Sequence, residues 1–113
     1  MLRVSFRRVK PGKEARLRAW LAELSARAGE VRATFVDETV RHEQAFILQT
    51  VDGPVLVYAM EAADFDRGRE AFARSKHAID EEHKQVMGEC LGDRLKVEPL
   101  YDVALDDSEG DDG

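Results

Sequence analysis

TVRHEQAFILQTVDGPVLVYAMEA, residues 39–62, reads as two strands folded about one turn. Asp52-Gly53 is a strong two-residue hairpin signal, because tight hairpin turns need residues that tolerate positive φ. With that pair as the turn, Val51 faces Pro54 and paired residue numbers sum to 105. One face then carries His42, Gln44, Phe46, Leu48, Val57, Ala59 and Glu61. The other carries Glu43, Ala45, Ile47, Leu56, Tyr58 and Met60. Both faces are substantially apolar, whereas a sheet with one wet face alternates more cleanly. Something must therefore cover the second face, and in a chain of 113 residues the economical cover is a second subunit.

Working outward, LRVSFRRV (2–9) alternates as a strand, with Leu2, Val4 and Phe6 on one side and Arg3, Ser5 and Arg7 on the other. Pro11-Gly12-Lys13 ends that strand and opens a helix. Leu17, Trp20, Leu21, Leu24, Ala28 and Val31 recur at helical spacing, and Gly29 is expected to end or kink the helix before a second piece over 30–38. Asp64 is placed to cap the helix carrying Phe65 and Phe72. LKVEPLYDVAL (95–105) alternates Leu95, Val97, Pro99, Tyr101 and Val103, which predicts a last strand; Pro99 donates no ladder bond and puts it at an edge. The order is βαββαβ. It predicts an α+β, ferredoxin-like domain over 1–105 with a four-stranded antiparallel sheet backed by helices.

Charge is unevenly placed. The net charge is −6, but DDSEGDDG (106–113) holds five acids and no base, and is expected to be a disordered tail. The remainder has 17 basic and 18 acidic residues, so it offers no strong basic footprint for nucleic acid. VLVYAM lacks the basic-aromatic motif of RNA-binding βαββαβ domains. No apolar run resembles a signal peptide or a membrane span, and Cys90, the single cysteine, has no intrachain partner. The expectation is a cytoplasmic protein with no nucleic-acid or membrane partner.

SKHAIDEEHKQVMGECL (75–91) carries the candidate chemistry. Ile79, His83, Val86, Met87, Cys90 and Leu91 form an apolar helical stripe, with a histidine inside it. Asp80 reads as the N-cap, with Glu81 and Glu82 in the first turn. His77 and His83 are six residues apart, ~9 Å and ~240° around a straight helix, so they share no ion there. Asp80 and His83 at i, i+3 are compatible with shared ligation, but no third ligand stands out, and neither a metal nor a cofactor is assigned. A histidine in an apolar stripe must satisfy its ring nitrogens, and a pocket is one reason to keep it there. Cys90 reads as a small buried hydrophobe and Trp20 as core.

Together, Pro11-Gly12-Lys13, the Asp52-Gly53 hairpin and HAIDEEHKQVMGEC are similar to a small bacterial family of unknown function whose members carry a His-Pro-Ile-Asp-x-x-His segment. The resemblance covers residues 2–104, and Ala78 stands where the pattern has proline. It implies membership of the dimeric α/β-barrel superfamily, in which two ferredoxin-like sheets pack face to face and sites lie between helices and sheet. It implies no reaction, and no catalytic set of that superfamily maps onto this chain.

Two functional expectations follow. In the first, a homodimer holds a small molecule between sheet and helices, His83 donates or accepts a proton, Asp80 orients it, and His77, Glu43 and Tyr58 bind the ligand. In the second, a non-catalytic dimeric module binds a ligand or a protein, and its histidines are structural.

Overall fold

The computed structural model describes residues 1–105, and the acidic segment 106–113 lies outside them. Eight elements run β1 (Leu2–Val9), α1 (Glu14–Ala26), α2 (Ala28–Glu38), β2 (Val40–Thr50), β3 (Gly53–Ala62), α3 (Phe65–Arg74), α4 (Ala78–Cys90) and β4 (Leu91–Leu95). The strands form one antiparallel sheet in the order β2-β3-β1-β4, compatible with a ferredoxin-like fold. Leu17, Trp20, Leu56, Ile79, Val86 and Cys90 form the heart of the core between sheet and helices.

The hairpin forms, but one residue earlier than expected. Thr50 pairs with Gly53 and Gln49 with Pro54, so paired numbers sum to 103 along most of β2 and β3. Thr50 Oγ1 donates to Gly53 O at 2.7 Å and accepts from Asp52 N at 3.1 Å, which centres the turn on Val51 and Asp52. Gly53 follows with φ 110°, the conformation that glycine permits. A shift of two in the sum leaves every residue on the face expected for it, because the side-chain period is two.

Which face meets the helices is set by β1. Arg3, Ser5 and Arg7 pair with Met60, Tyr58 and Leu56, and those pair with Glu43, Ala45 and Ile47. Leu56 and Ile47 pack in the core, so this arginine-bearing face looks toward the helices. Leu2, Val4, Phe46 and Leu48 lie on the opposite face and are 61%, 37%, 50% and 49% exposed.

Three local expectations are corrected. The α1–α2 break falls at Arg27, with φ −107° and ψ 35°, not at Gly29. Helix α4 starts at Ala78 with His77 in the N-cap position, so Asp80 lies inside the first turn and does not cap. His77 O accepts from the amides of Asp80 and Glu81, which starts the helix before Asp80. The last strand is Leu91–Leu95, and residues 96–105 form no strand. Leu91 is already extended, with φ −104° and ψ 135°, and β4 pairs with β1 at once, which uses the edge before the alternating segment arrives. By contrast, Asp64 caps α3 as expected, accepting from Arg67 N at 3.0 Å.

Candidate functional site

A cavity of about 400 Å³ opens between the helix-facing side of the sheet and α2, α3 and α4. Its shape depends on how the chain turns after α2. Glu38 is the last residue of that helix, and Thr39 follows in the left-handed region with φ 60°, unusual for a β-branched side chain. The Thr39 hydroxyl donates to Asp64 O and accepts from Asp64 N, both at 3.0 Å, tying the end of α2 to the start of α3. Helix α3 then passes so close that a Cβ on Gly68 would lie 2.5 Å from Glu38 O. These contacts fix the carboxyl of Glu38 at the cavity.

His83 lines the cavity from α4. Its Nδ1 accepts a hydrogen bond from Trp20 Nε1 at 2.9 Å. An indole N–H can only donate, so Nδ1 is unprotonated and a neutral imidazole carries its proton on Nε2. Burial lowers the pKa of His83 from the ordinary imidazole value, opposed by the charge of Asp80, and keeps the ring neutral. The rings of Tyr58 and Phe72 meet it edge-on, each with a centroid separation of 6.2 Å. Nε2 has no hydrogen-bond partner among the described residues, so it is the nitrogen left for a ligand.

Beside His83 lies a group of carboxyls. Asp80 and Glu38 are 6% and 8% exposed, and Asp80 Oδ2 and Glu38 Oε2 are both buried without a partner. Burial first, then the charges of Asp80 and Glu43, push the Glu38 carboxyl up to about 8. With its carboxyl pushed up to about 8, Glu38 holds its proton at pH 7 and is a donor within the influence of Asp80. Glu43 accepts from Tyr58 Oη at 2.8 Å. Burial raises the Glu43 carboxyl, and that hydrogen bond opposes the rise. Burial and the neighbouring Glu43 also raise the Tyr58 phenol, which stays protonated as a donor.

Of the residues singled out from the sequence, the structure brings His83, Asp80, Glu43 and Tyr58 together. His77 lies elsewhere: its Nε2 is 3.0 Å from Asp37 Oδ2 on the surface, beside α3. Asp80 makes no hydrogen bond to His83, and the orienting partner is Trp20. Cys90 is fully buried in the core. Glu38 and Trp20 are the residues sequence reasoning missed. The signal for Glu38 was present: Val31, Thr34, Phe35 and Glu38 follow helical spacing, and all four line the cavity. An acid in an apolar stripe poses the same question as a histidine there. Among the described residues no cluster of three or more His, Cys, Asp or Glu side chains could hold a metal ion, and no helix is long and apolar enough to cross a membrane.

The arrangement offers a neutral N–H donor, a protonated carboxyl and a carboxylate in one half-open, apolar-walled space. That set can hydrogen-bond a carbonyl or hydroxyl oxygen and accept a proton from a neighbouring atom. Comparison with known proteins yields no match among curated proteins and none among solved structures. A family model does match, over residues 2–107, and the chain belongs to that family of unknown function (DUF6176).

Proposed function

We propose that this protein is a small-molecule enzyme working as a homodimer, with one site per subunit in the cavity beside His83. The reading rests above all on His83, which lines the cavity with Nδ1 engaged by Trp20, leaving an Nε2–H for a ligand. A buried imidazole held neutral is a hydrogen-bond donor matched to a developing oxyanion. The Asp80–Glu38 pair supplies the other half of a proton transfer, with Asp80 as acceptor and the Glu38 proton moderating its charge. The reaction class this supports is proton abstraction next to a carbonyl, as in an isomerisation.

Pairing uses the other side of the sheet. Leu2, Val4, Phe46 and Leu48 form an exposed apolar patch on a sheet whose opposite face is covered by helices. An exposed patch of this kind marks an interaction site. A second copy offering the same face gives a closed, symmetric pair, the arrangement of the dimeric α/β-barrel superfamily.

Solvent exchange tests the chemistry. The protein is incubated in D2O with a panel of small aldehydes and ketones, neutral and charged, and mass spectrometry reads deuterium at carbons next to the carbonyl. Wild type should accelerate uptake for some member, and His83→Gln should lose at least about tenfold of that rate while remaining folded. Ligands that move cavity resonances in NMR without any catalysed exchange would instead favour a non-catalytic binding module.

A further inference from the structure

The charges around the cavity are sorted across the sheet. Glu43 stands on β2, close enough to Glu38 and Asp80 for the three to repel one another's ionisation. Arg3 and Arg7 stand on β1 and Arg94 on β4, and all three line the same cavity. At ~4.8 Å per strand, β1 lies ~10 Å and β4 ~14 Å from β2. Along the sheet the cavity is therefore acidic at β2 and basic at β1 and β4, while Arg69 and Lys84 line it from α3 and α4.

The basic side combines a half-buried arginine, Arg7, with the exposed Arg94 and Arg3. Arg7 and Arg94 are direct cross-strand partners on one face, and like charges so placed repel. Arg7 is anchored by two bonds from Nε and Nη2 to Gly92 O, at 3.2 and 2.8 Å. Arg3 is held with its guanidinium carbon 4.2 Å from the centre of the Phe65 ring. Among the described residues none of the three has a carboxylate partner, although ion pairs are plentiful elsewhere on the surface. Paired guanidinium groups with free N–H donors match the geometry of an oxyanion, which would also relieve their repulsion.

We propose that the Arg7–Arg94 side holds the oxyanion, a carboxylate or phosphate, of a small molecule whose other polar end reaches His83 and the Glu38–Asp80 pair. This rests on the reading of the cavity as a ligand site, and adds the class of ligand. His83 meets the Tyr58 ring, and Tyr58 pairs with Ser5, two residues (~7 Å) along β1 from Arg7, so a small molecule reaches from one end to the other.

The test is an NMR titration of the full chain with acetate, inorganic phosphate, acetamide and ethylamine at constant ionic strength, so that screening does not mimic binding. Acetate or phosphate should give saturable shifts at Ser5, Arg7 and Arg94, and acetamide and ethylamine should not; the tighter of the two anions names the ligand class. Arg94→Gln should weaken that anion about tenfold and Arg94→Lys less. If Arg94→Gln fails to fold by circular dichroism, Arg7→Gln takes its place and is read the same way. The inference is overturned if acetamide binds as well as acetate, if no anion saturates, or if a folded Arg94→Gln protein binds the anion as wild type does. Neutral fragments that still move His83 in that event leave the proton-transfer reading standing; silence at both ends removes both.

Discussion

His83 and Glu38 occupy the same kind of position, a polar side chain at an apolar-stripe position of a helix, and each is kept uncharged there by burial. For Glu38 the consequence is a measurable pH dependence. Its folded-state pKa of about 8 lies above the ordinary 4.5, so the folded protein holds a proton that the unfolded chain releases within that window. The associated stability is full below about 4.5 and is lost as pH rises through about 8. Glu38→Gln keeps a neutral donor beside Asp80 without a titrating proton. The variant should be roughly 1–3 kcal/mol more stable than wild type at pH 9 and little different at pH 4.5. Urea unfolding at the two pH values reads this directly, and parallel pH dependences would refute the buried-acid assignment. The His83 contribution has the opposite sign: its pKa is lowered, so stability held above the ordinary imidazole range is lost as pH falls.

At the scale of elements, the period-two and period-3.6 patterns were enough to group the residues of β1, β2 and β3 by face and to find the helices, but not to say that the face of Arg3, Ser5 and Arg7 is the one that meets the helices. The hairpin shows why the grouping holds. Its turn was misplaced by one residue, yet Glu43, Tyr58 and Met60 still share a face, because facing depends on parity and not on register. The errors fall where tertiary contacts choose among local options. Asp80 and His77 are both acceptable near a helix start, and backbone bonding from His77 decided it. Alternation over 95–105 is a sound strand signal, but β4 had already paired with β1 from Leu91. The Trp20–His83 bond spans 63 positions in sequence, and no local pattern announces it. The meeting of α2 and α3 at Gly68 is of the same kind. A methyl at Gly68 would strike the backbone carbonyl of Glu38, which cannot swing aside as a side chain can. Gly68→Ala should therefore push α3 off α2, cost about 1–3 kcal/mol in thermal or urea unfolding and disturb Glu38. A variant as stable as wild type would show that the two helices separate freely.

For the whole molecule, the two faces of one sheet differ in kind. The helix-facing side carries the polar groups of the cavity, and the open side carries Leu2, Val4, Phe46 and Leu48. Leu100 and Tyr101, 87% and 85% exposed, add apolar surface after β4. This distribution predicts a dimer at micromolar concentration in light scattering, and Phe46→Arg should yield a monomer with its secondary structure kept. A monomeric wild type would contradict the pairing while leaving the cavity untouched. The cavity itself is tested most directly by long-range 1H–15N NMR of His83, recorded from pH 4 to 9 with and without small carbonyl compounds and anions. The predicted spectrum shows a neutral ring with its proton on Nε2, charging only below the ordinary imidazole range, and signals that move when a ligand enters. A proton on Nδ1, or a ring indifferent to every added molecule, would contradict the proposed site.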